Sequence, residues 1–273
     1  MLKFFKTWTL PISMLAGAIG YFVFANVTFL EPTKPFMYTL IAYLTPFLIF
    51  AQLLLTFCKI SVRELMPSPW HGWLLLIQAV SSLVLAALLL WLPMREEYRD
   101  VFEGAMVCLI CPTATAAAVI TGKLGGSASS LTTYTLLSNL LAAIVVPLVF
   151  PLVEPHAEIT FFAAFLKILG KVFPLLLFPF FLALFLCRFI PPIHRFLAGL
   201  RDMAFYLWAV ALAIVTGQTV KSLVNSEAEI YVEILIALGG LITCIAQFYW
   251  GKRIGKKYND RISAGQDLRQ KNT

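Results

Sequence analysis

The chain has 273 residues, of which 60% are hydrophobic and 13% are charged, and its formal net charge is +7. Soluble domains average about 25% charged residues, so the composition excludes an ordinary soluble globular protein. Several apolar stretches reach the roughly 20 residues that cross a bilayer, and the alternating ten-residue segments typical of a membrane β-barrel are absent. The sequence therefore predicts an all-α polytopic membrane protein whose first partner is the lipid bilayer.

Eight spans are predicted in chain order, and the fourth of them is interrupted. The stretch Glu158–Ile168 is predicted to form a short interfacial helix that leads into the sixth span. The eight spans are Thr7–Val27, Pro35–Cys58, Gly72–Leu92, Val101–Thr121, Ser130–Val153, Leu169–Ile190, Met203–Val220 and Ile230–Trp250.

The distribution of lysine and arginine predicts the orientation of these spans. With the N-terminus in the cytoplasm, the inside segments carry 15 basic residues and the outside loops carry four. The outside loops are instead rich in Asp and Glu, in agreement with the positive-inside rule. We therefore expect a multi-pass protein of the plasma or inner membrane, and the positive charge does not indicate a nucleic-acid partner.

The fourth span contains a helix break at Cys111-Pro112-Thr113-Ala114-Thr115. Proline followed by small and hydroxyl residues interrupts the helix, and a bilayer tolerates such a break only where the freed backbone groups face protein or a water-filled cavity. Transporters use broken helices to build a binding site near the bilayer midplane. The break therefore favours a carrier over a simple membrane anchor.

Polar side chains inside the spans are the candidates for a binding site, because hydrocarbon makes them costly unless they are paired or hydrated. A single Ser or Thr in a membrane helix more often bonds a carbonyl of its own helix or joins two helices. Gln78, a lone amide in the third span, is equally compatible with either role, and Gln247 is predicted to be interfacial. The cluster after the break favours a substrate or ion site, whose candidates are Gln78, Thr113, Thr115, Thr132, Thr135, Ser138 and Asn139.

No pattern of catalytic residues accompanies these candidates. The three histidines lie in loops or at span ends, and the five cysteines show no metal-ligand spacing and are predicted to be free thiols. An enzyme is therefore not predicted, and neither is a resident cofactor. A passive pore would require rings of polar residues on several spans, whereas only the fourth and fifth spans are polar enough.

The spacing of the spans and the block Glu103–Pro151 resemble the bile acid:sodium symporter family of secondary transporters. This block contains the break at Cys111-Pro112, a short half-helix, a glycine corner and a Ser/Thr-rich helix ending in Val145-Val146-Pro147. Gln78 falls where the family's third helix places a cation-coordinating glutamine. The resemblance implies that the chain carries a small organic anion, coupled to sodium.

The same resemblance implies an inverted-repeat fold of five plus five helices. Residues 1–153 would form the first repeat and residues 154–273 an incomplete second repeat, so that the chain ends inside the family's ninth helix. The broken fourth and ninth helices would cross at the midplane and bind the ions and the anion. The implied sodium ligands on this chain are Gln78 and Thr135, because Ala117 and Ala118 stand where the family has coordinating side chains.

The last residues of the chain would begin the ninth helix in this comparison. Asp267 takes the family's acidic position, and Lys271 and Asn272 take the places of a Gln-Asn pair. An ammonium at Lys271 could replace a sodium ion and release its proton, so transport could be sodium-independent or coupled to protons. The alternative for these last residues is a solvated basic tail. The alternative for the function is a chain that is transport-incompetent or depends on a partner for its missing helices.

Overall fold

A computed structural model shows an α-helical chain with no strand among the residues that it describes. Seven of its helices are long and apolar enough to cross a membrane, which confirms the prediction of a multi-span helical architecture. The described residues are 2–59, 66–114, 117, 121, 125–154, 160–200, 202–226, 228–258, 260 and 262–265.

The helices follow the predicted spans closely. A six-residue 3₁₀ helix, Thr28–Thr33, joins the first two of them. In chain order the α-helices are α1 (Leu2–Asn26), α2 (Lys34–Cys58), α3 (Pro69–Trp91), α4 (Glu96–Ile110), α5 (Ala128–Val153), α6 (Phe161–Phe189), α7 (Pro191–Gly199), α8 (Met203–Val224) and α9 (Ile230–Lys257).

The interruption of the fourth span is confirmed. Helix α4 has 15 residues and ends at Ile110, and the next residue, Cys111, has an extended backbone with φ −57° and ψ 139°. Proline disfavours the helical conformation in the residue before it, so Pro112 accounts for the position of this end. Helix α5 then begins after Ser127, whose hydroxyl accepts a hydrogen bond from the backbone N–H of Ser130, as expected for a serine N-cap.

The stretch Glu158–Ile168, predicted as a short interfacial helix, is continuous with the sixth span where the structure describes it. Residues 155–159 lie outside the described part, but α6 runs as one 29-residue helix from Phe161 through the whole sixth span. Residues 161–169 contain no proline or glycine that could end a helix, so the segment continues into the span. A short helix that was not predicted, α7, starts at Pro191 directly after α6, because proline fits the first position of a helix.

The helices pack into two groups that meet along α5 and α6. In the first group, α1 packs on α8, and α2 packs on both α6 and α8. In the second group, α3 packs on α4, α5 and α9, and α4 packs on α9. The second group contains the helix break, and we call it the break group. We call the first group the small-residue group, because Gly17 of α1 lies directly against Ala213 of α8.

Helix α5 lies between the two groups and is the most buried helix of the described chain. Its Ala142 and Ala143 pack against a cluster from α2 and α6 that includes Leu53 and Leu177. Another set of its side chains, Val145, Val149 and Val153, packs against Ala86, Leu89, Met106 and Ile110 of α3 and α4. The apolar core therefore holds the beginning of the helix break against α3 and α5.

Candidate functional site

The candidate site is built around the carbonyl groups at the end of α4. The last turn of any helix leaves carbonyl oxygens without partners inside the helix, and inside a membrane such groups require partners from elsewhere in the protein. The end of α4 is buried, with Ile110 only 2% exposed. The residues that bond these carbonyls therefore define how the break is stabilised.

Gln78 of α3 supplies most of these partners. Its side-chain Nε2 donates to the carbonyl of Ile110 at 3.0 Å and to that of Cys111 at 3.4 Å. Its Oε1 accepts hydrogen bonds from the hydroxyls of Tyr134 at 3.2 Å and Ser138 at 3.1 Å, both on α5. One amide, 2% exposed, thus connects α3, the end of α4 and α5.

Gln247 of α9 provides a further partner, contrary to the expectation that it is interfacial. It is buried, and its Nε2 donates to the carbonyl of Cys108 at 3.4 Å. Glutamines from two different helices therefore bond the last turn of α4. Gln247 shares the signal that pointed to Gln78, an amide within an apolar helix, and its closeness to the basic end of α9 led to the wrong assignment.

Aromatic residues enclose the Gln78 network on the side where α3 begins. Trp70 stacks on Tyr134 with ring centroids 5.9 Å apart, and His71 lies against both rings. The Nδ1 of His71 accepts from the backbone N–H of Ser68, and its Nε2 lies 3.2 Å from the hydroxyl oxygen of Ser130. Two of these residues, Trp70 and His71, were not predicted to belong to the site.

The polar residues of α5 form two adjoining stripes. Tyr134 and Ser138 are four residues apart and point to Gln78. Thr132, Thr135 and Asn139 fall within roughly 60° of one another around the helix, at about 100° per residue. The hydroxyls of Thr132 and Thr135 donate to carbonyls one turn back in their own helix, which leaves their oxygen lone pairs available to accept.

Three buried polar atoms around the break lack hydrogen-bond partners within the described part of the chain. They are Trp70 Nε1, Thr121 Oγ1 and Asn139 Nδ2. Buried polar atoms in folded proteins nearly always have a partner, so these three atoms are candidates for contact with water, an ion or a ligand. All three residues are buried, and Asn139 is the one that lies on the second polar stripe of α5.

The chain after the break and the chain after α9 both lie against this site. Thr113 is fully buried, and Ala117 packs against Leu131 of α5. Residues 262–265, which we call the return segment, turn back from α9: the Ser263 hydroxyl accepts from the backbone N–H of Ser127, and Ala264 packs against Trp70. The return segment thus contacts the beginning of α5 and the aromatic residues that enclose the Gln78 network.

Five of the predicted site residues, Gln78, Thr132, Thr135, Ser138 and Asn139, lie on the packed helices α3 and α5. Thr113 lies after the end of α4, where it is fully buried. The other four lie outside the described residues, and these are Thr115, Asp267, Lys271 and Asn272. The polar side chains of the described residues among these predicted ones are amides and hydroxyls. In the part of the chain that the structure describes, no group of His, Cys, Asp and Glu is arranged to hold a metal ion.

Comparison of the chain with family models gave no match, and comparison with curated proteins gave none either. The resemblance to the bile acid:sodium symporter family therefore stays a prediction, based on the spans and on the residues around the break.

Proposed function

We propose that the chain is a secondary transporter of the bile acid:sodium symporter type, which moves a small organic anion by alternating access. The observation that carries the proposal is the difference in hydrogen bonding between two buried amides near the break, Gln78 and Asn139. Gln78 uses both ends of its amide in bonds within the protein, its Nε2 to the end of α4 and its Oε1 to α5. The buried Asn139, by contrast, keeps an amide nitrogen without a partner among the described residues. A structural anchor would need the first feature but would gain nothing from the second.

The chemistry of the second stripe fits an anion together with a small cation. The N–H groups of Asn139 can donate to a carboxylate oxygen. The hydroxyl oxygens of Thr132 and Thr135 keep lone pairs that a sodium ion can use. Gln78 is less ready to bind a cation, because its Oε1 already accepts two hydrogen bonds; one of the two hydroxyls would have to turn away first.

The pairing of helices supports an inverted repeat as the basis of the movement. In a repeat that relates α1 to α6 and α2 to α8, the contact of α1 with α8 corresponds to the contact of α6 with α2, and both pairs are present. Likewise, α4 packs on α9, and the return segment packs on α3. Rocking of the break group against the small-residue group would then expose the site on alternate sides.

The test is uptake by the full chain reconstituted in liposomes, with radiolabelled cholate and pyruvate as probes. We expect uptake of at least one probe driven by a sodium or a proton gradient. Strict dependence on sodium would reject the proton-coupled role of Lys271, whereas uptake driven by a pH gradient without sodium would support it. No uptake of either probe under either gradient would contradict the transporter proposal and favour the transport-incompetent alternative.

The site is tested with Asn139→Ala in the same assay. Loss of one hydrogen bond to a charged ligand is expected to lower the apparent affinity by about tenfold. The matched control is Asn26→Ala, which removes an exposed amide at the end of α1 that bonds only the carbonyl of Phe22. Equal uptake by the two variants would show that Asn139 does not contact the substrate.

A further inference from the structure

A second concave surface of the molecule lies between α3 and α9, outside the site at the break. Its volume is about 660 Å³. The walls are apolar and include the exposed side chains of Trp73, Leu76 and Val80 on α3 and Trp250 on α9. We call this surface the α3–α9 groove.

One end of the groove is polar and basic. There the indole N–H of Trp73 donates to the hydroxyl of Tyr258 at 3.1 Å, which joins the two helices. Arg253 and Lys257 line the same end and are four residues apart, so they stand one turn apart on α9. Arg253 donates to the hydroxyl of Tyr249 at 3.1 Å, and no described carboxylate lies within ion-pair distance of either cation.

The basic end of the groove lies on the side that the distribution of lysine and arginine predicts to be cytoplasmic. That leaflet carries the anionic lipids, and basic pockets between helices on this side bind lipid headgroups. Tryptophan side chains are also enriched at the depth of the headgroups. From Trp73 to Val80 the groove follows α3 for about 10 Å at 1.5 Å per residue, which is enough to cover the upper part of an acyl chain.

We propose that the α3–α9 groove binds one anionic phospholipid. Arg253 and Lys257 bind its phosphate, and an acyl chain lies along Leu76, Val80 and Trp250. Charge complementarity selects this occupant, because two cations without a described carboxylate partner stand at the mouth of an apolar groove. The inference does not depend on the proposed transport activity, since it uses neither Gln78 nor Asn139.

The test is native mass spectrometry of the full chain, with phosphatidylglycerol and phosphatidylcholine of identical acyl chains as probes. We expect one retained phosphatidylglycerol per chain, held more tightly than phosphatidylcholine. The double variant Arg253→Ala with Lys257→Ala is expected to weaken phosphatidylglycerol binding by about tenfold or more. Leu76→Trp, which fills the groove without changing charge, should also reduce retention.

The matched control is the double variant Arg195→Ala with Lys256→Ala. It removes the same charge from exposed positions on the same predicted side, and neither residue lines the groove. Binding unchanged in the control and reduced in the groove variants supports the proposal. An equal reduction in both double variants would show a diffuse charge effect, and equal retention of both lipids in the unmodified chain would show no headgroup recognition; either result would overturn it.

Discussion

The break group and the small-residue group differ in the contacts that join their helices. Around the break, amide and hydroxyl groups join helices across distances of 3.0–3.4 Å. At the contact of α1 with α8, Gly17 faces the backbone of Ala213 so closely that a Cβ on Gly17 would overlap the Ala213 carbonyl. A Cβ on Gly217 would lie 3.1 Å from the carbonyl oxygen of Gly17, so small residues on both helices allow this approach.

The difference follows from what each pair of helices has to satisfy. Helices α1 and α8 are continuous, so their backbone groups are bonded internally, and close packing is enough to hold them. Helix α4 stops inside the protein, so its last carbonyls need donors from α3 and α9. The break group therefore carries the buried polar residues, and the proposed ligand site is located there.

The largest effect is expected from Gln78→Leu. The substitution removes the hydrogen bonds that Gln78 makes to the carbonyls of Ile110 and Cys111 and to the hydroxyls of Tyr134 and Ser138. Since removing one partner of a buried hydrogen bond costs about 1–3 kcal/mol and the site can relax in part, we expect the free energy of unfolding to fall by about 2–4 kcal/mol. The measurement is the unfolding midpoint of the full chain in detergent titrated with sodium dodecyl sulfate.

Gln218→Leu is the matched control for this prediction. Gln218 is an exposed amide on α8, and the same chemical change there should leave the midpoint nearly unchanged. If Gln78→Leu were as stable as this control, the break would not depend on side-chain hydrogen bonds. The contrast between the two helix groups would then be wrong.

A smaller loss of stability is expected from Gly17→Val, which changes the contact of α1 with α8 in the small-residue group. The new side chain would collide with the backbone of α8, which cannot move aside as a side chain could, so the helices must separate. Overpacking of this kind lowers the free energy of unfolding by about 1–3 kcal/mol, and the same titration measures it. Gly20→Val on the same helix is the control, because a Cβ there meets nothing within 4 Å; equal losses in the two variants would mean that α1 and α8 do not depend on close approach.

Much of the fold could be predicted from the sequence, because apolar length and proline each have a direct physical consequence. Pro112 alone predicted the interruption of the fourth span, and α4 ends two residues before it, at Ile110. What could not be predicted is where a helix continues without a marker: nothing in the composition of Phe161–Phe189 shows that the interfacial stretch and the sixth span are one helix. The start of α7 at Pro191 was not predicted, because a proline after a span fits the end of one helix and the first position of the next equally well.

The site was predicted in part for a similar reason. Sequence identifies a buried amide such as Gln78 as a residue that must find a partner, but it does not say which partner. That Gln78 bonds the end of α4, and that Gln247 does so as well, depends on how α3 and α9 pack on α4. Trp70 and His71 gave no signal, because an aromatic pair at the start of a span is ordinary at a membrane interface.

The smallest effect is expected from Ser138→Ala. It tests whether one hydrogen bond to Gln78 stabilises the chain by as much as a hydrogen bond between membrane helices usually does. The substitution removes one of the two donors to Gln78 Oε1, and Tyr134 keeps the other. The Gln78 oxygen stays bonded, and alanine leaves no new buried polar group. We therefore expect the free energy of unfolding to fall by only about 0.6 kcal/mol in the same titration.

Thr133→Val provides the reference for that small number. Its hydroxyl is buried on the same helix but donates to the carbonyl of Ser129 in its own helix, so its removal breaks no link between helices. A midpoint lowered by Ser138→Ala and not by Thr133→Val would assign the loss to the contact of α3 with α5. A larger loss for Thr133→Val would mean that bonds within α5 matter more than those between helices, and Gln78 would then bond the end of α4 without strengthening the contact to α5.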